Sequence, residues 1–231
     1  MTSVVDAGAP AIVGDPFAHV RPLFDHLRAL ARPARLVRIA PSRRVIAFSR
    51  RDARSPRFAD AVAVAEECGF AAAVRPVGGT FAPLHTGSLV VDEFGYSGAE
   101  EWPNPRFDRH AGILLDVFRG YGIDARIGEV PGEYCPGAHS VNLGGFEKLS
   151  GSAQRVSGRV WLVSSVVQVG SVEPLLEVTT RVAEALGLDI DASVTGALTD
   201  ALPGLTIDGV AARIAAAFQA DGAELVVAAQ G

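Results

Sequence analysis

The apolar residues follow two different periods along the chain, and this alternation constrains the fold more than any other feature. Residues 159–169, RVWLVSSVVQV, are rich in β-branched side chains, which is typical of a buried strand. Residues 105–121 instead place Ala111, Leu114 and Phe118 at helical spacing. Strands and helices in alternation predict a mixed α/β fold, with a sheet flanked by helices.

The same two periods assign the shorter segments. Further helices are expected at 17–31, 55–68, 174–186, 192–202 and 207–218, and further strands at 36–39, 45–48, 71–74, 88–94, 123–127 and 139–143. The strands at 36–39 and 45–48 are expected to pair through the turn at 41–43. From Glu173 onward the pattern is helical, whereas residues 225–228 are not assigned.

Composition limits the class of protein. A chain of 231 residues with 48% hydrophobic residues predicts a single globular domain over 1–231, with a core at about 44–170 and a helical tail at 173–231. A net charge of −5 argues against nucleic acid or a membrane surface as partner. Two cysteines without paired CxxC units predict neither a disulfide framework nor a metal site. Without a signal-like N-terminus or eighteen consecutive apolar residues, a cytoplasmic location is expected.

Cys135 is the first candidate for chemistry. It stands in the segment EYCPG, in which Pro136 and Gly137 favour a turn and Glu133 supplies a polar neighbour. A turn cysteine with a lowered pKa is a nucleophile, whereas most free cysteines are small buried apolar residues. Both interpretations stay open from these residues alone. His139 is the nearest histidine along the chain and is a candidate partner for the thiol.

Lys148 is the only lysine among 21 basic residues. Where arginine supplies charge everywhere else, a lysine suggests a need for a primary amine that can lose a proton or donate to one oxygen. The alternative is an exposed lysine that only aids solubility. The small residues after it, Gly151, Ser152 and Ala153, are interpreted as a turn that lets a ligand approach the backbone, with Gln154 as a hydrogen-bonding group.

A glycine pair, Gly78 and Gly79, follows a predicted strand, with Arg75 before it and His85 after it. Free backbone amides at such a turn can hold a carbonyl or phosphate oxygen, although a plain surface turn has the same pattern. The chain contains neither GxxxxGK[ST] nor GxGxxG, so these two nucleotide-binding motifs are absent. Asp92 and Glu93 are adjacent in a strand and are expected on opposite faces, which disfavours a glycosidase pair.

Three segments in order resemble the superfamily of lipoate-protein ligases, biotin-protein ligases and octanoyltransferases, and the resemblance runs from about Arg44 to Val169. The segment from Arg75 through Gly78 and Gly79 to His85 resembles the family's lipoate-binding loop, and residues 89–92 resemble the strand after it. Lys148 with LSGSAQR at 149–155 is similar to the family's lysine and its GSAQR turn, the most specific match.

This resemblance implies a mixed, largely antiparallel sheet flanked by helices, with a tunnel for an acyl chain. It implies catalytic roles for Cys135, as an acyl-thioester nucleophile, and for Lys148, as acid or base or as donor to the acyl carbonyl. It implies substrate binding by a second set of residues: Arg75, Gly78, Gly79, His85, Gly151, Ser152, Ala153 and Gln154. Within this set, the amides of Gly78 and Gly79 are expected to stabilise the developing oxyanion. The expected reaction moves a lipoyl or octanoyl group to a lysine of a carrier protein.

Departures from the family pattern leave alternatives. Arg75 stands without a second arginine, Thr80 follows the glycine pair, and Thr86 replaces the aspartate after the histidine. The first alternative is an ATP- and magnesium-dependent lipoate or biotin ligase acting through an acyl-adenylate; the second is a non-catalytic acyl-binding protein or partner subunit. Expected partners are an acyl-carrier protein as donor and a lipoyl domain or a glycine-cleavage H-type protein as carrier. A transferase needs no ATP.

Overall fold

A computed structural model of the chain describes residues 15–97 and 103–226. The helices are α1 (Val20–Leu30), α2 (Phe58–Glu67), α3 (Pro103–Arg119), α4 (Glu173–Leu186), α5 (Leu198–Ala201) and α6 (Ile207–Ala220). The strands are β1 (Ala34–Pro41), β2 (Val45–Phe48), β3 (Ala71–Val74), β4 (Ala82–Leu84), β5 (Ser88–Tyr96), β6 (Ala125–Ile127), β7 (Val141–Leu143), β8 (Glu147–Ser157), β9 (Val160–Gln168) and β10 (Glu224–Leu225). No helix in these two ranges is long and apolar enough to cross a membrane.

The strands form two sheets. The large sheet has the order β10-β1-β5-β9-β8-β7-β6, and all its neighbours are antiparallel except β10 and β1. The small sheet has the order β3-β2-β4, with β2 parallel to β3 and antiparallel to β4. The predicted fold class, a mixed and largely antiparallel sheet flanked by helices, is confirmed.

Each face of the large sheet is covered by different elements. Helices α3 and α6 pack Leu114 and Phe218 against Val91 and Val167 on one face. On the other face, α1 packs beside β5 and β9, and the small sheet packs through Ala47 and Leu84 against Val166. Helices α2 and α4 cover the outer side of the small sheet. The small and large sheets therefore face each other across a thin apolar layer.

Strands β1 and β2 are not paired, so the predicted turn between them is wrong. β1 pairs along its whole length with β5, whereas β2 is the central strand of the small sheet. All four residues of β2 are buried, as a central strand requires. Residues 42–44 carry the chain from one sheet to the other.

Three further differences concern local signals. Residues 151–155, expected as a turn, lie within β8, where pairing with β9 overrides the turn preference of glycine and serine. Residues 192–202 form a 3₁₀ turn at Ala192–Val194 and the one-turn helix α5, not one helix. The unassigned β4 contains Pro83 and lies at a sheet edge, where a missing N–H is tolerated. The extent of the single domain over 1–231 stays a prediction.

Candidate active site

Cys135 lies on the loop between β6 and β7 in a conformation that few side chains adopt. Its φ is +45°, one of two positive values among the non-glycine residues that the structure describes. Such a backbone costs free energy and persists where surrounding contacts hold it, a situation that is frequent at functional sites. The thiol reaches the wall of an open pocket.

The thiol is bonded to Arg75, which follows β3. Arg75 Nη2 donates to Cys135 Sγ at 3.1 Å and also to the Thr80 carbonyl oxygen. Burial raises the pKa of Cys135, but Arg75, Lys148 and the Thr80 amide outweigh it, and the pKa lies below its usual value.

Gly79 lets the arginine and the thiol meet. Its φ is +87°, and a Cβ at this position would collide with Cys135 Sγ and lie 2.9 Å from Arg75 Nη2. Only glycine fits without moving both groups. The Gly78 amide, in contrast, donates to the Gln154 carbonyl oxygen at 3.2 Å, so the protein itself occupies this predicted oxyanion donor.

Lys148 lies next to the loop that carries the cysteine. Its fully buried Nζ donates to the carbonyl oxygens of Tyr134 at 2.7 Å and Cys135 at 3.0 Å. Its charge faces Glu133 Oε2 at 3.5 Å. Burial lowers the pKa of Lys148, and Glu133 and Cys135 oppose that shift.

A bulge in β8 directs the lysine to this side of the sheet. Asn142 pairs with Lys148, and the preceding residue, Val141, pairs with Ser150 instead of Leu149, so the register shifts by one residue. Gly151 then comes under the lysine, because a Cβ there would lie 2.5 Å from Lys148 Cε and 2.8 Å from Nζ. The predicted need for a small residue at 151 is explained by the lysine.

Glu133 is the residue whose importance the sequence pattern did not indicate. Its buried carboxylate accepts hydrogen bonds from the Gly137 amide at 3.0 Å and from Ser140 Oγ at 2.8 Å through Oε1. The same side chain thus closes the loop around Cys135 and faces Lys148. Its position two residues before the cysteine was the only available signal.

Two cavities meet at this site. The open one has a volume of about 620 Å³ and contains no acidic residue among the described residues of its wall. Its wall includes Gly79, Cys135, Gln154, Arg50, Arg51 and Arg155. The second is an enclosed cleft between the two sheets with about 20 Å³ of free volume, room for about one water. Its wall is mostly apolar and includes Ala47, Val77, Leu84, Val90, Leu162 and Val166, and it also contains Arg75, Asp92 and Ser164. Pro76 and Val77 border both cavities.

Four other residues singled out in the sequence lie apart from the thiol. His85 follows β4 and is buried, lines neither cavity, and has a pKa lowered by burial and then by Arg44. The Ser152 hydroxyl bonds to Ser165, which contacts His110 of α3 on the other face of the large sheet. Ala153 packs in the cluster that contains Val77. His139, the candidate partner for the thiol, bonds instead to Asp108 at 2.9 Å, while the thiol bonds to Arg75.

Comparisons with known proteins agree with this geometry at the level of the fold. No family model matches the chain. A curated relative, the octanoyl-[GcvH]:protein N-octanoyltransferase of Geobacillus kaustophilus (strain HTA426), is 24% identical over 159 residues. The match covers 62% of this chain and 55% of the relative, so the chain spans little more than half of that protein's length.

Two solved structures share the fold. Lipoate-protein ligase A bound with ATP has a TM-score of 0.64 at 17% identity, over 84% of this chain and 76% of that chain. The bi-partite lipoate protein ligase from Thermoplasma acidophilum, studied with its E2 lipoyl domain, has a TM-score of 0.61 at 17% identity, over 84% and 75%. These structures show that the chain has the fold of the lipoate-protein ligases, and the sequence relative, an octanoyltransferase, agrees with the resemblance of its segments to that superfamily.

Proposed function

We propose that the chain is a cysteine-dependent acyltransferase that moves an octanoyl or lipoyl group to a lysine of a carrier protein. The observation that carries this proposal is the contact between Arg75 Nη2 and Cys135 Sγ at 3.1 Å, at the wall of an open pocket and beside an apolar cleft. A thiol held beside a cation is a nucleophile near neutral pH, and the sequence relative carries out octanoyl transfer.

The reaction divides into two acyl transfers. Cys135 Sγ attacks the carbonyl carbon of the donor and a carbon–sulfur bond forms. The bond from that carbon to the donor's thioester sulfur or lysine nitrogen breaks, and this sulfur or nitrogen leaves with a proton from solvent. The neutral amine of the acceptor lysine then attacks the thioester; the amide forms, Sγ leaves as a thiolate, and the amine's proton passes to solvent. Because a thioester stores an activated acyl group, this route needs no ATP.

The other site residues support these steps by position. The apolar cleft between the sheets takes the acyl chain, and its small free volume means that the chain enters only as the cleft widens. The Gly79 amide, which donates to no acceptor among the described residues, stabilises the oxyanion. Lys148 holds the Tyr134 and Cys135 carbonyls and so fixes the cysteine loop, besides adding positive charge near the sulfur.

The proposed donor is an octanoylated or lipoylated carrier, either an acyl-carrier protein or a glycine-cleavage H-type protein, and the proposed acceptor is a lipoyl domain. The relative's name includes GcvH, and the archaeal ligase was studied with its E2 lipoyl domain. Both are proposals for this chain.

The second candidate is a lipoate ligase that uses ATP. The observation in its favour is the open pocket, whose arginines, Arg50, Arg51 and Arg155, suit a phosphate. Magnesium prefers carboxylate ligands, and the described wall of this pocket contains none, so the residues present do not fit the metal. In that case Cys135 is structural.

A transfer assay separates the candidates. Octanoyl-H-protein or octanoyl-acyl-carrier protein is the donor and a lipoyl domain the acceptor, with and without ATP, for the native chain and Cys135→Ser. We expect ATP-independent transfer that falls by on the order of 10³-fold or more in Cys135→Ser. Transfer that requires free lipoate and ATP and survives the substitution would instead identify a ligase. Binding without turnover under all conditions would identify a non-catalytic acyl-binding subunit.

A further inference from the structure

The buried groups around Cys135 include more positive than negative charges. Arg75 and Lys148 are cations with 6% and 0% of their surface exposed, and Glu133 is a carboxylate with 2% exposed. Two buried cations thus share one buried anion. An isolated charge in a protein interior costs several kcal/mol or more, so a second anion is required.

The pairing shows which cation lacks a partner. Glu133 faces Lys148 at 3.5 Å and closes its own loop through Gly137 and Ser140. Arg75 forms no ion pair with a carboxylate among the described residues; its guanidinium donates to the Thr80 carbonyl oxygen and to Cys135 Sγ. Among the described residues, the sulfur is the one hydrogen-bond partner of Arg75 that can carry a negative charge. The buried carboxylate of Asp92 borders the same cleft as Arg75, but it pairs with His19 at 2.8 Å and Arg38 at 3.7 Å.

We infer that Arg75 and Cys135 form a buried ion pair, in which the guanidinium holds the sulfur as a thiolate before any donor binds. Arg75 therefore acts on the reacting atom, rather than on the substrate as the sequence resemblance implies. No histidine base is required, in agreement with the pairing of His139 with Asp108.

The second cysteine provides a contrast within the same chain. Arg181 Nη1 donates to Cys68 Sγ at 3.3 Å, a similar distance. Arg181 also pairs with Glu67 at 2.7 Å and Glu177 at 3.7 Å, so carboxylates already balance its charge. The feature that singles out Cys135 is the lack of a carboxylate for its arginine, not the presence of an arginine alone.

The remaining groups that face the thiol favour the same state. Arg50, Arg51 and Arg155 line the pocket that Cys135 borders and are all cationic. Tyr134 is fully buried and its pKa is raised by burial, so it stays neutral. Burial opposes ionisation of Cys135, but the cations exceed this effect and its pKa is lowered.

The ion pair has a consequence for the second transfer step, and here the inference rests on the proposed function. Thioester formation removes the negative charge and leaves Arg75 buried without an anion. Departure of the sulfur as a thiolate restores the pair. The site therefore favours release of the acyl group to the acceptor over a long-lived acyl-enzyme.

The test is the pH dependence of alkylation of Cys135 by iodoacetamide, followed by intact mass in a Cys68→Ser background. Only the thiolate reacts, so the rate reports its fraction at each pH. We expect an apparent pKa below that of an ordinary thiol. Arg75→Gln should raise it and slow alkylation at pH 6 by about tenfold or more, since one pKa unit changes the thiolate fraction tenfold below the pKa. Arg75→Lys should restore part of the rate.

Arg181→Gln is the matched control and should leave the profile unchanged, because that arginine contacts the other cysteine. An ordinary apparent pKa in the native chain overturns the inference by itself, even if Arg75→Gln does not fold. An Arg75→Gln profile identical to the native one, in a folded variant, also overturns it. A low apparent pKa without acyl transfer would contradict the proposed function alone, whereas transfer by a thiol of ordinary pKa would contradict the ion pair alone.

Discussion

At the scale of single residues, two unusual backbone conformations bring the reactive groups together. Cys135 and Gly79 both have positive φ, and the side chain of one lies where a side chain of the other would be. The cost of the left-handed conformation at Cys135 is offset by Lys148, which donates to the carbonyl oxygens of the two peptide bonds that flank Cys135.

Gly79→Ala tests this close approach, with Gly78→Ala as its neighbour for comparison. An added Cβ at 79 collides with the thiol in a backbone that disfavours it by about 1–2 kcal/mol, whereas at 78 the nearest atom is the Gln154 carbonyl oxygen at 3.8 Å. We expect the rate of acyl transfer to fall by on the order of 10²-fold in Gly79→Ala and clearly less in Gly78→Ala. Equal losses in two folded variants would show that the approach of Gly79 to the sulfur is not required.

The sequence predicted the cysteine, the lysine and the glycine loop as one site, and the structure brings them within contact distance. The sequence did not predict which side chain or backbone group each of these residues contacts. The contact of Arg75 with Cys135 joins residues 60 positions apart, and that of Lys148 with the loop depends on a bulge; neither has a local signal. Arg75 was assigned to substrate binding because the family pattern implies that role. Nothing in the sequence indicates that its side chain contacts the thiol.

At the scale of elements, long periodic segments were predictable and small-residue segments were not. Helix α3 and strand β9 lie within two residues of their expected bounds, because one period runs through each. The GSAQR segment has the composition of a turn but lies in β8, since hydrogen bonds to β9 determine its backbone. Strands β1 and β2 are close in sequence yet belong to different sheets, a choice made by long-range pairing.

Ala47→Val tests whether the cleft between the sheets takes the acyl chain. Ala47 of β2 is buried in the cleft wall, and a larger side chain reduces its space. We expect transfer of octanoyl groups to fall several-fold relative to butyryl groups, measured as the ratio of kcat/KM values. Ala65→Val is the control, because Ala65 is equally buried in the cluster under α2 and α4 and overpacking there costs a similar 1–3 kcal/mol. The same change in chain-length preference in both variants would contradict the assignment of the cleft.

At the scale of the whole molecule, one buried carboxylate connects the large sheet to its helices. Glu93 of β5 contacts Arg35 of β1 at 2.7 Å, and Arg109 at 3.0 Å and His110 at 2.9 Å on α3. Arg35 also forms an ion pair with Asp221 at the end of α6. Burial raises the pKa of Glu93, but His110 and the two arginines outweigh this and lower it from 4.5 to about 2.

This network predicts that the protein loses stability at acid pH through protonation of Glu93. A carboxyl group with a lowered folded pKa stabilises the protein fully above its unfolded pKa, and the stabilisation is lost as pH falls from about 4.5 toward about 2. A shift of this size corresponds to about 3 kcal/mol. Glu93→Gln should lower the free energy of unfolding at pH 7 by about 3 kcal/mol and flatten the dependence below pH 4.5, as measured by urea denaturation.

Asp124→Asn is the control for that experiment. Asp124 is exposed and pairs with Arg126 at the surface, so its removal should leave the unfolding curve nearly unchanged. A loss in Asp124→Asn as large as that in Glu93→Gln would mean that net charge, rather than the buried network, determines the loss of stability at acid pH.

The most direct test of the account is intact-protein mass spectrometry after the chain is mixed with octanoyl-acyl-carrier protein, without ATP. The native chain and Cys68→Ser should gain one octanoyl group that hydroxylamine removes, and Cys135→Ser should gain none. Such a result establishes a thioester at Cys135 as the intermediate. An absent adduct on the native chain, with both proposed donors verified as active, or an equal adduct on Cys135→Ser, would contradict the account.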